Sequence, residues 1–417
     1  MAKRTRGARV GGTSARRTKR WTVLVWIAGD NDLDPHGLTD IREMKRVGST
    51  DDVDVVVQID RAGRTGARRY HIRKGTELPS DVVARLPETN TGDPRTAIDF
   101  FTWGMRRYPS ERVMAVIWNH GSGIDETDVY ERAARRRVEV PRGHVRRITT
   151  SKLRRALFAS TVDHAISTRA IAFDDTSGDF LDNAELAQVL AEVTRRAGRP
   201  LDIVALDACL MNMIEVSYEL RRYAGCIVAS EETEPVRGWP WNKVLGALVA
   251  RPTMSAVELA RQSVKHYLAS YRAADGVTHS AVDVARVDGL AKAVDALAAA
   301  CIPTLKSAAD FAAFSKAARS AQRYDTRDFV DLGDLCRQLQ ARSARPRVKA
   351  AAARVLDRLL GDEPFVLASG HKGRDVVRST GTSIYFPIVG DAHVAYGRLA
   401  FAKKTRWDRL IDAYRSA

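Results

Sequence analysis

Four apolar runs constrain the first half of this chain: WTVLVWIAG (21–29), VDVVVQID (53–60), VMAVIWN (113–119) and LDIVALD (201–207). None alternates cleanly between apolar and polar positions, so each predicts a strand covered on both faces. Segments of helical spacing lie between them, near 36–47, at 96–108 (TAIDFFTWGMRRY) and at 181–198, the last closed by Gly198 and Pro200. Strand, helix and strand in alternation predict an α/β fold with a mostly parallel central sheet and helices on both faces. ARRYHIRKG (67–75) reads as part of an edge hairpin, and AISTRAIAFDD (165–175) as a shorter strand. After LDIVALDAC the pattern predicts a helix over 210–223 and a strand over 225–232. Beyond residue 250 the pattern is Ala-rich and helical, interrupted by one strand, GTSIYFPI (381–388). The expected organisation is a basic tail (1–20), an α/β unit (21–250) and a mainly helical C-terminal region (251–417) packed on it.

The net charge of +16 is concentrated. Residues 1–20 carry +8 and residues 131–155 carry another +8, which leaves the rest of the chain neutral. A nucleic-acid-binding domain would carry its charge on a folded face, so nucleic acid is not expected as a partner. No apolar run approaches the roughly 20 residues of a membrane span, so no membrane partner is expected. WTVLVWIAG is too short for a signal-peptide core and lacks a small-residue cleavage site. The four cysteines, Cys209, Cys226, Cys301 and Cys336, are scattered and form no CxxC pair. This excludes a zinc ribbon or disulfide framework, and free thiols fit a cytoplasmic location.

Two of the apolar runs stop at chemistry. VMAVIWN ends at His120-Gly121, and LDIVAL ends at Asp207-Ala208-Cys209. In open α/β sheets, functional groups gather at the carboxyl ends of the strands. A thiol and an imidazole at one sheet edge are what a cysteine nucleophile with a histidine base requires. The N–H groups of Gly121 and Cys209 are placed to form an oxyanion hole. Asp207, two residues before Cys209, puts a carboxylate on the substrate side, where it selects a cationic side chain. Cys226, Cys301 and Cys336 read as structural. HGSG resembles the oxyanion loop of some esterases, but the chain has no G-x-S-x-G elbow. Asp174 to Glu185 has the end acids of a calcium loop without its sixth-position glycine, and reads as a loop before a helix.

These blocks, with NTGDPRTAIDFFTWG (90–104), LDACLMNMIEVSYEL (206–220) and VASEETEPVRGWPW (228–241), resemble the clostripain family of cysteine peptidases. The resemblance covers most of the chain after residue 20. It implies a caspase-like fold, His120 as general base, Cys209 as nucleophile and Asp207 as the acid that selects Arg or Lys. It also implies that Ser230 to Glu232 line the same pocket. Members of the family commonly cut themselves at a basic residue between the histidine and cysteine blocks. Here that interval is the basic loop 131–155, with Arg135, Arg136 and Arg137 foremost and Arg142, Arg146 and Arg147 behind them. The sequence requires no cofactor and nominates no metal ligands, whereas the resemblance makes calcium possible.

The expected function is a cysteine endopeptidase that cuts proteins or peptides after Arg, or less readily Lys, and processes itself from a zymogen. The rival is a catalytically silent caspase-like scaffold that contacts nucleic acid or acidic partners through its basic segments.

Overall fold

The computed structural model describes residues 18–63, 66–119, 171–174, 176–177, 179–389 and 396–417. His120, Gly121, the basic loop with all its arginines and nearly all of the basic tail lie outside these residues. The strands are β1 (Lys19–Gly29), β2 (Val53–Arg61), β3 (Arg68–His71), β4 (Val82–Arg85), β5 (Ser110–Trp118), β6 (Ile171–Asp174), β7 (Asp179–Leu181), β8 (Leu201–Asp207), β9 (Ala224–Ala229), β10 (Val277–Asp283), β11 (Phe329–Asp331), β12 (Val366–Lys372) and β13 (Ser383–Tyr385).

Nine of them form one sheet in the order β12-β10-β9-β8-β5-β1-β2-β3-β4. The five central strands, β9, β8, β5, β1 and β2, run parallel. These are the uninterrupted apolar runs of the sequence, buried on both faces. An antiparallel pair closes each side, β3 and β4 at one edge and β10 and β12 at the other. The chain places β2 on one side of β1 and β5 on the other. That reversal creates a crevice at the carboxyl ends of β1, β5 and β8.

Strand parity sorts the core into two layers. Leu24, Trp26, Ala28, Val204 and Leu206 face one layer, while Val23, Val25, Ile27, Ile203 and Ala205 face the other. The first layer packs against helices that include Pro94–Arg107 and Asn183–Ala197. In Pro94–Arg107, Asp93 accepts the Arg95 N–H at 2.9 Å and Pro94 occupies the first turn. This helix buries Phe100 and Phe101, each stabilising the fold by about 1.5–3 kcal/mol. Gly104 lets it lie close on β1, because a Cβ there would meet Leu24 Cδ2 at 2.6 Å. The second layer packs against Asp34–Lys45, Trp241–Ala250 and Ala256–Ser270.

The structure corrects two expectations. The C-terminal region is not only helical around one strand: β10 and β12 belong to the main sheet, so the sheet runs on past residue 250. The helix expected at 210 begins at Ile214, and a turn fills the interval after Cys209. Leu210 in that turn has φ +62°, the only non-glycine among the described residues in the left-handed region.

Candidate active site

Asp207 ends β8 and carries the parity of Ile203 and Ala205, so its side chain enters the second layer. That layer is aromatic at this end. Trp239 and Trp241 stack at 5.5 Å, Tyr267 stacks on His279 at 4.0 Å, and Trp239 meets His279 edge-on at 4.7 Å. Two further acids join Asp207 there, and sequence reading did not single out either. Glu234 arrives from the loop after β9, and Asp40 from the helix Asp34–Lys45.

The Asp207 and Glu234 carboxyl groups lie within hydrogen-bonding reach of one another. Trp118 of β5 donates its indole N–H to Asp40 Oδ2 at 2.7 Å. Gly238, at φ +58°, brings the backbone between the acids: a Cβ there would lie 3.4 Å from Asp40 Oδ2 and 3.6 Å from Asp207 Oδ1. No Lys or Arg side chain among the described residues forms an ion pair with any of the three. The Trp239 and Trp241 N–H groups face the two carboxyls, and His279 Nδ1 lies 3.7 Å from Glu234 Oε1, all of them buried.

The charges respond to this burial. Desolvation pushes Asp207 up to about 8, against the opposing influence of Glu234 and of the Trp241 and Trp239 N–H groups. Desolvation, then the nearby Asp207, hold Glu234 well above the usual carboxylate range. Asp40 is raised for the same two reasons. His279 is driven down to about 3 by burial and stays neutral.

Cys209 stands just past this pocket, half-buried and free of any disulfide. Its thiol contacts one residue of the acidic set through the backbone: the Glu234 N–H donates to Sγ at 3.2 Å. The turn is pinned by the Leu210 N–H donating to the Glu232 carbonyl at 3.2 Å. Backbone strain of the Leu210 kind is characteristic of functional turns.

On β5, Trp118 pairs in register with Asp207, and the Asn119 N–H donates to the Asp207 carbonyl at 3.2 Å. The Asn119 side chain donates to the Ala28 carbonyl. The residue before His120 is thereby tied to both neighbouring strands. The side chains of Ser230 and Glu232 lead elsewhere. Ser230 Oγ donates to the Thr278 carbonyl at 2.8 Å and fastens β9 to β10. Glu232 Oε1 accepts from Thr233 and Asp325 N–H groups. Cys226, Cys301 and Cys336 are buried; burial pushes the first two thiols up to about 12 and the third well above its usual value.

A second set of buried acids, Asp30, Asp60 and Asp174, sits at the ends of β1, β2 and β6. It fastens the β6–β7 hairpin. Asp174 accepts from Thr91 and Ser177 N–H groups, and Asp30 accepts from Thr176. Glu185, the last acid of the calcium-like spacing, instead closes a capping box with Asp182. Among the described residues no three His, Cys, Asp or Glu side chains are arranged to hold a metal ion.

The comparisons agree with this architecture. The clostripain family profile, the C11 peptidases, matches residues 25–164 and 158–414. Clostripain of Hathewaya histolytica is 22% identical over 264 residues, covering 56% of this chain and 43% of that protein. The match therefore spans less than half the length of that relative. A secreted C11 cysteine protease from Bacteroides thetaiotaomicron, solved with an irreversible peptide inhibitor, superposes with TM-score 0.63 at 20% identity, over 94% of this chain and 100% of the other. An inactive zymogen C11 protease from Parabacteroides distasonis superposes with TM-score 0.64 at 18% identity, over 93% and 99%. With the profile spanning nearly the whole chain and the caspase-like α/β sheet in place, this protein belongs to the clostripain family of cysteine peptidases.

Proposed function

We propose that the protein is an endopeptidase that cuts after Arg, and less readily after Lys, through Cys209 and His120. The observation that carries the specificity is the buried trio Asp40, Asp207 and Glu234, which has no cationic partner among the described residues. Buried carboxylates without a cation are costly, and a substrate guanidinium would relieve them. Arg is favoured over Lys because its planar fork donates to two carboxylates at once.

In this mechanism His120 takes the Cys209 proton, and the Glu234 N–H steadies the thiolate. The thiolate attacks the scissile carbonyl, and the N–H groups of Gly121 and Cys209 bind the oxyanion. The protonated His120 gives its proton to the leaving amine as the C–N bond breaks. Water, deprotonated by His120, then hydrolyses the thioester and restores the thiol. The basic loop carries the self-cleavage sites, Arg135, Arg136 and Arg137. Because the loop belongs to the same chain as the acids it would meet, its arginines would reach them at a high effective concentration.

The test is a paired incubation of wild type, Cys209→Ala and Asp207→Asn, with and without calcium. A denaturing gel follows chain size, and an Arg-terminated fluorogenic peptide follows turnover. Wild type turns over the peptide and shortens at the loop, while Cys209→Ala does neither. Asp207→Asn loses about 100-fold or more in kcat/KM for the Arg peptide, as expected for removing one side of a buried charge pair. Equal turnover by wild type and Cys209→Ala would overturn the assignment. One structural relative is described as secreted, so fractionation of the source cells, probed for this chain, tests the cytoplasmic expectation.

A further inference from the structure

Asp207 is the acid that a sequence pattern nominates, but it does not stand alone. Glu234 comes from a different loop and turns its carboxyl onto that of Asp207, while its own N–H touches the nucleophilic sulfur. Its side chain is 5% exposed and Asp207 is 4% exposed, so water does not separate or screen them. Two carboxyl groups in contact cannot both be ionised without a compensating cation. Among the described residues neither pairs with a Lys or Arg, and His279, whose Nδ1 lies 3.7 Å from Glu234 Oε1, is kept neutral by burial.

We propose that Glu234 is a second specificity-determining carboxyl, which shares one proton with Asp207 in the empty pocket and releases it when the cationic side chain of a substrate enters. This rests on the Arg/Lys reading above. The proton passes to solvent, the guanidinium or ammonium keeps its own, and no covalent bond changes. A neutral side chain cannot drive the exchange, because it would leave two ionised carboxylates facing each other. Selection against neutral residues is thus built into the pair, as a like-charge repulsion that only a cation relieves.

The groups that face the pair can be named. Asp40 lies on the helix Asp34–Lys45, with Glu43 acting on it from further out. Tyr267 and Tyr271 come from the helix Ala256–Ser270 and its end, and both are raised above the usual tyrosine value, first by burial and then by Glu234. His279 comes from β10 and stays neutral. Arg237 lies outside, its guanidinium 4.5 Å over the Tyr271 ring. Cys209 completes the set. Among these described groups, Asp40, Asp207 and Glu234 are the carboxyls whose protons an entering cation would displace.

The experiment is calorimetric titration of the full-length Cys209→Ala protein at pH 6.5 to 7.5, in two buffers of different ionisation enthalpy. The probes are an Arg-terminated peptide amide and the same peptide with citrulline, its uncharged isostere. The Arg peptide should bind with release of about one proton, with an association constant that rises roughly tenfold per pH unit between 6 and 8. The citrulline peptide should release none. In Cys209→Ala/Glu234→Gln, release on Arg binding should fall below half a proton and the pH dependence should flatten. Cys209→Ala/Asp40→Asn should keep most of the release. Unchanged release in the Glu234→Gln protein, or none on Arg binding to the parent, would overturn the proposal. The citrulline comparison needs no variant at position 234, so misfolding there does not spare it. Failure of the underlying reading has a different signature: wild type then cuts after neither Arg nor Lys, and the parent binds both peptides alike.

Discussion

At the scale of single residues, one glycine brings the backbone close to two of the buried acids. Gly238 combines φ +58° with a backbone position between Asp40 and Asp207. In Gly238→Ala the left-handed conformation costs about 1 kcal/mol, and the methyl group enters the space between the carboxyl groups. The expected result is an Arg-peptide KM raised roughly fivefold with kcat little changed, the equivalent of about 1 kcal/mol of binding. Steady-state kinetics over a range of peptide concentrations checks this, and a fall in kcat alone would place the strain at the nucleophile instead. Leu210 is the contrary case, a buried side chain held at φ +62° where glycine would sit without strain. Its packing in the first core layer is what holds it there.

At the scale of elements, caps and parity explain most of the placement. The capping box that opens Asn183–Ala197 has the Glu185 N–H donating to Asp182 Oδ1 at 2.7 Å and the Asp182 N–H donating to Glu185 Oε2 at 3.2 Å. Asp182→Ala should lower stability by about 1 kcal/mol. The urea midpoint should move down with the m-value unchanged. Peptidase activity at temperatures below the transition should hold, since this helix packs on the layer opposite the acidic pocket. A calcium-loop role for Glu185 would instead make the stability of wild type, and not of the variant, depend on added calcium. Much of this level was legible beforehand. Gly198, at φ +71°, and the four apolar runs appear in the sequence as what they became. The helix after Cys209 was misplaced because LMNMIEVSYEL keeps a helical apolar spacing through residues whose backbone hydrogen bonds go to the loop after β9, not to a helix.

At the scale of the whole molecule, buried acids fasten the C-terminal third to the parallel sheet. Glu215 accepts the Tyr385 N–H at 3.0 Å and the Tyr396 hydroxyl at 2.9 Å. Glu231 accepts the Tyr324 hydroxyl at 2.7 Å and the Gly381 N–H at 3.0 Å. Burial, against the opposing Tyr385 N–H, pushes Glu215 from its ordinary 4.5 up to about 7. The folded state therefore binds its proton more tightly than the unfolded chain does. Its contribution is fully present below about 4.5 and is lost as pH rises toward 7, with a slope of up to about 1.4 kcal/mol per pH unit. Urea midpoints measured at pH 5 and 7.5 should show wild type losing more stability on that rise than Glu215→Gln, and equal losses would remove Glu215 from the account.

The sequence by itself determined the parallel strands, because continuous apolar runs cannot be satisfied with one face in water. It also determined that Asp207 and Cys209 stand at a strand end, because the apolar run stops there. Parity alone placed the Asp207 side chain in the same layer as Ile203 and Ala205. What only the tertiary structure decided is which acids meet. Glu234 was one of three glutamates in EETE, and the loop backbone turns Glu231 toward Tyr324, Glu232 toward Asp325 and Glu234 toward Asp207. Asp40 lay on a helix with no periodic sign that it faced the pocket. The two antiparallel strands beyond residue 250 were likewise invisible among Ala-rich helices. Short strands have little periodicity of their own: β10 is fixed by the hydrogen bonds that the open edge of β9 offers, and β12 by those that β10 offers in turn. Local pattern reports how deeply a residue is buried, whereas its partners are set by loops and edges that bring distant segments together.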